Sequence, residues 1–84
     1  MTIYEIAKKS VNEGSAQKIR HRAGNQYDCQ DSIWTGNNRH WMLLDQFTAS
    51  AIVQIYENIN PENQVKFMSL PLNKILDITW KLAS

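Results

Sequence analysis

Cys29, His21 and His40 are the side chains of this 84-residue sequence best suited to nucleophilic or metal chemistry. A Cys–His nucleophile such as Cys29 with His40 needs thiolate and imidazole in contact, with an oxyanion hole and a substrate cleft around them. A structural zinc site brings its ligands in closely spaced pairs, and each of these three residues stands alone. Cys29 is better explained as a packed, inert residue, because free cysteine is among the most buried residue types. The acids Asp28, Asp31 and Asp45 follow neither EF-hand nor HExxH spacing, and Asp45 suits a helix cap. With only Gly14, Gly24 and Gly36, no glycine-rich phosphate loop can be written. The expectation is a non-enzyme with no catalytic residue, no metal and no cofactor.

Two other groups of residues suit binding. The stretch KIRHR, residues 18–22, offers Lys18, Arg20 and Arg22 to phosphates, and His21 can add charge near its ordinary pKa of about 6.5. Three cations are few for tight binding, and an extended backbone is expected to split them across two faces. Nucleic acid is therefore the alternative partner. The stretch IWTGNNRHWMLLD, residues 33–45, places Trp34, Asn37, Asn38, Arg39, His40 and Trp41 around a turn rich in Gly and Asn. Trp and Arg are among the residues that dominate interface energetics. These six form the expected contact surface for a protein partner. Strand parity decides whether Trp34 and Trp41 face core or solvent, and the sequence leaves that open.

The elements that must position these residues read as α+β, mainly helical: an N-terminal helix, a β-hairpin, then three short C-terminal helices. Residues 2–13 suit a helix, with Thr2 and Glu5 as a capping-box pair, Ile3, Ala7 and Val11 as its inward stripe, and Gly14 as its stop. Residues 15–25 read as a loop or weak helix ending in the turn signal Gly24-Asn25. In residues 26–34 Tyr27, Cys29 and Ile33 share one parity, and Asp28, Gln30 and Ser32 the other, which suits a strand. The most economical hairpin pairs residues 27–34 with 40–44 through TGNNR. Asp45 or Thr48 then caps a helix whose inner face carries Ile52, Ile55, Tyr56 and Ile59. Asn60-Pro61 starts a short helix with Val65 and Met68 inward and Phe67 close by. The last helix follows Leu70-Pro71, with Leu72, Ile75, Leu76 and Thr79 on one face, Ile78 and Leu82 extending it, and Trp80 partly off the stripe.

The length allows one small domain, residues 1–84, which buries roughly 60–65% of its unfolded surface. A single cysteine rules out an internal disulfide and suits a reducing cytoplasm. No apolar run has the length of a signal peptide or membrane span, so a soluble cytoplasmic protein with no membrane partner is expected. The net charge of +1 is unevenly placed: five cations face two acids in residues 1–25, and one faces three in residues 26–47. That basic end is milder than in most dedicated nucleic-acid domains. A small core and free hairpin edges also admit a homodimer.

Residues 43–82, LLDQFTASAIVQIYENINPENQVKFMSLPLNKILDITWKL, resemble small proteins encoded by bacteriophages and related mobile elements. The resemblance lies in an LDxFTASAIV opening, an Asn-Pro break and a closing helix ending in Trp-Lys. It covers about half the chain, excludes KIRHR and TGNNRHW, and speaks mainly to fold. It implies a stoichiometric inhibitor of host machinery, including anti-CRISPR proteins, acting in the host bacterial cytoplasm. A DNA mimic would be strongly acidic, so the expected mode is docking on a CRISPR–Cas effector. The leading expectation is a small non-enzymatic protein acting by protein–protein contact, with a nucleic-acid-binding regulator as the alternative.

Overall fold

A computed structural model describes residues 1–31 and 40–83. Helix α1 (Ile3–Glu13) is followed by strands β1 (Gln17–Ala23), β2 (Gln26–Asp31) and β3 (Met42–Leu44), then helices α2 (Gln46–Asn58), α3 (Pro61–Met68) and α4 (Leu72–Ala83). The architecture is α+β and mainly helical, with a helix, a hairpin-containing sheet and three helices in chain order.

Local cap chemistry sets the helix starts. The Thr2 hydroxyl accepts from the Glu5 amide and the Glu5 carboxylate accepts from the Thr2 amide, so the capping box closes in both directions. The hydrogen bond that the Thr2 amide donates to the carboxylate, assisted by the Thr2 side chain, holds the Glu5 carboxyl below its usual range. Asp45 caps α2 through the Thr48 amide at 2.7 Å, and Asn60 caps α3 with Pro61 at the first helical position. Gly14 ends α1 at φ 67°, a left-handed conformation where a side chain would be strained.

The strands depart from the sequence expectation. Residues 15–25 are not a loop or weak helix; they hold β1, the centre of a three-stranded antiparallel sheet ordered β2-β1-β3. The tight hairpin joins β1 to β2 through Gly24-Asn25, with Gly24 at φ 56°. The segments around 27–34 and 40–44 are therefore not each other's partners: β3 pairs with β1, Ile19 opposite Met42 and Gln17 opposite Leu44. Residues 32–34 of the expected first strand lie outside the described residues. The physical reason is count. The seven-residue strand QKIRHRA pairs with β2 at six positions across a two-residue turn, whereas the later segment holds only three residues in strand conformation.

The core lies between the sheet and the helices. Ile19, Tyr27 and Leu44 meet Ile3, Ile6 and Ala7 of α1, Ala49 and Ile52 of α2, Phe67 and Met68 of α3, and Ile75 of α4. Full burial of each large aliphatic side chain stabilises by about 1.5–3 kcal/mol. Ile55, Tyr56 and Ile59 pack at its margin as the helical spacing predicts. Three residues expected to face inward do not. Val11 is turned toward solvent because α1 buries Ile6 and Ser10 instead; Val65 is 71% exposed while Phe67 takes the inner position; Leu82 is 65% exposed beyond the last core turn of α4. No helix among the described residues is long and apolar enough to cross a membrane.

Candidate functional site

β1 carries the chemistry. Its alternation turns Gln17 and Ile19 toward the helices, both essentially without exposed surface. Lys18, Arg20 and Arg22 have the opposite parity, so all three belong to the outer face. This corrects the expectation that an extended KIRHR would split them: Lys18 and Arg20 share a face by parity, and although the pairing with β2 shifts between His21 and Ala23, the Arg22 guanidinium approaches the same Asp28 carboxylate as Arg20.

Register supplies their neighbours. Arg20 lies opposite Asp28 and Lys18 opposite Gln30 on β2, while Leu43 lies opposite Lys18 on β3. The Asp28 carboxylate sits between two guanidinium groups: Arg20 Nη2 is 3.0 Å from Oδ2 and Arg22 Nη1 is 4.0 Å from Oδ1. Trp41, just before β3, brings its ring under the same cations. The Arg20 guanidinium carbon is 4.5 Å and the Lys18 ammonium 5.5 Å from the ring centroid, within cation–π range. Trp41, Arg20, Arg22, Asp28 and Gln30 together line a shallow open concavity.

These residues are not equivalent. The Arg22 side chain is 72% exposed and that of Arg20 46% exposed, so both can reach a partner. Lys18 is only 7% exposed. Its charge contributes positive potential at the Trp41 ring rather than a reaching contact. Ion pairs as exposed as Arg20–Asp28 are worth about 0.2–1 kcal/mol, so a competing anion can displace the carboxylate.

The expected hairpin-tip surface is only partly visible. Trp34, Asn37, Asn38 and Arg39 lie outside the described residues. His40 is exposed and adopts φ 70°, the left-handed region that histidine enters more readily than most residues. Trp41 is half-buried and belongs to the outer sheet face, beside the cations that the sequence had set apart as a separate candidate. The two candidate surfaces thus meet at one ring. Asp28 and Gln30, which complete the face, carry no sequence signal beyond their parity.

The residues considered for nucleophilic chemistry are engaged locally. His21 Nε2 is 2.9 Å from the Gly24 carbonyl, and its ring meets Tyr27 edge-on at 5.4 Å. Burial pushes the Tyr27 hydroxyl above its ordinary pKa. Cys29 packs against the core with its Sγ 3.9 Å from Lys9 Nζ and 3.8 Å from Met1 Sδ. Among the helices, Phe47 is 81% exposed and shares an open groove with Ala51, Gln54 and Leu82, with no charged group among these lining residues. No family model, curated protein or solved structure matches the chain.

Proposed function

We propose that this chain is a non-enzymatic binding module that engages nucleic acid through the outer face of its sheet. One observation carries the reading: Lys18, Arg20, Arg22 and Trp41 occupy the same side of a sheet whose other side is sealed by helices. Cations that track a phosphate backbone beside an aromatic ring form a recurrent nucleic-acid surface. The affinity of such a site is modest, because only Arg20 and Arg22 reach outward. Binding of a labelled oligonucleotide at low salt tests this. The affinity should fall as salt rises, and Arg20→Gln with Arg22→Gln should abolish most of it. No binding at low salt would remove the reading.

A second reading is favoured by Trp41 itself. A half-buried Trp stacked on Arg joins two residue types enriched at protein hot spots. With the resemblance of residues 43–82 to phage-encoded proteins, it supports an inhibitor that docks on a bacterial CRISPR–Cas effector. Retention of purified effector complex on the immobilised protein, lost in Trp41→Ala, would favour this reading over the first.

A further inference from the structure

We propose that the outer sheet face takes single-stranded nucleic acid, with a backbone phosphate entering the Arg20–Arg22 clamp, a neighbouring base stacking on Trp41, and Asp28 acting as an internal competitor for the clamp. This rests on the reading that the outer sheet face binds nucleic acid, and adds which form it takes and what limits its affinity.

The geometry of the clamp is the starting point. Two guanidinium groups approach one carboxylate from either side of His21 on β1, Arg20 at 3.0 Å and Arg22 at 4.0 Å. A phosphate is the other anion that such planar donors recognise, often through two parallel hydrogen bonds. Asp28 thus stands where an incoming phosphate must bind, and a phosphate that enters the clamp has to displace it. The free protein keeps its two reaching cations partly neutralised, which lowers affinity for every anionic partner.

Trp41 selects the form of nucleic acid. Its ring lies next to the clamp, held by Arg20 and Lys18. An indole can stack only on a base that is not already stacked in a duplex, so a single strand gains a contact that a duplex cannot make. An acidic peptide would satisfy the clamp but would leave the ring without a planar partner.

The test measures fluorescence anisotropy of a labelled single-stranded oligonucleotide with the intact protein, alongside its duplex form and a polyglutamate competitor. Asp28→Asn should tighten single-strand binding about fivefold, since it removes an exposed ion pair and a charge that repels phosphate. It should also steepen the dependence of log affinity on log salt by about 0.7, one additional phosphate neutralised. Trp41→Ala should weaken single-strand binding at least about fivefold, the low end of a lost base stack, while Trp41→Phe retains most of it. Circular dichroism of each variant confirms that the fold survives, and Gln54→Ala, at an exposed position of α2 outside the sheet face, serves as a variant that leaves affinity within about twofold. Single-strand binding with an unchanged Asp28→Asn affinity overturns the competitor role and leaves the docking reading standing. Duplex binding as tight as single-strand binding, or unaffected by Trp41→Ala, overturns the strand selection. Competition by polyglutamate as effective as by oligonucleotide overturns nucleic acid in favour of an acidic protein. No oligonucleotide binding by wild type or Asp28→Asn at low salt removes the docking reading and the inference with it.

Discussion

Gln17 shows how one residue can reveal the demands on β1. It has no exposed surface, yet its Oε1 finds no hydrogen-bond donor among the described residues, and its Nε2 reaches Glu13 only at 3.4 Å. An unsatisfied buried carbonyl costs about 1–3 kcal/mol relative to a satisfied one. Methionine matches its length and lacks the orphan oxygen. Gln17→Met should therefore stabilise the protein by about 1 kcal/mol, raising Tm by about 4–8 °C for a domain of this size. Thermal denaturation followed by circular dichroism checks this, and a lower Tm would show that the Glu13 contact outweighs the orphan. The same strand explains what the sequence could say of the site. Lys18, Arg20, Arg22 and Trp41 are recognisable from residue type alone. That they form one surface follows from parity and from the pairing of Arg20 with Asp28, and pairing across a sheet has no signature within either strand.

Elements fixed by local chemistry were legible, and those fixed by distant pairing were not. The starts of α1, α2 and α3 follow from Thr2 with Glu5, from Asp45, and from Asn60-Pro61, because a cap is satisfied within one helical turn. β1 was hidden because Ile19 is its one large apolar residue, set among Gln17, Lys18, Arg20, His21 and Arg22. Helix α3 shows the same limit at smaller scale. Over eight residues, helical spacing cannot choose between Val65 and Phe67 as the inward residue. The structure chooses Phe67, 5% exposed, over Val65 at 71%. Two substitutions separate these registers. Phe67→Ala should cost about 3–5 kcal/mol, and Val65→Ala should stay within about 0.5 kcal/mol of wild type. Urea titrations of both variants supply the comparison, and equal losses would place the helix in a rotated orientation.

At the scale of the whole molecule, the docking face and the core are two sides of β1. Ile19 is buried among the helices and Arg20 has the opposite parity, so one stretch of backbone serves both faces. The margin for that packing is small. A domain of 84 residues has about 4–13 kcal/mol of total stability at the usual 0.05–0.15 kcal/mol per residue. Ile52 of α2 is fully buried in the cluster that faces the sheet, with no substitution site on the outer face near it in sequence. Ile52→Ala should cost about 2–5 kcal/mol, enough to bring a protein at the low end of that range close to unfolding, whereas Ile52→Val should cost about 0.5–1.5 kcal/mol. The smaller change separates stability from binding. With wild-type stability of several kcal/mol, losing about 1 kcal/mol leaves the folded fraction near unity, and apparent affinity is reduced only by the fraction that is competent. Ile52→Val should therefore lower the urea midpoint without changing the slope of the transition, and leave oligonucleotide affinity within about twofold of wild type. A large affinity loss in the folded Ile52→Val protein would mean that the outer face is ordered by the core side chain by side chain. The clamp would then depend on packing beneath it rather than on the strand backbone that sets its spacing.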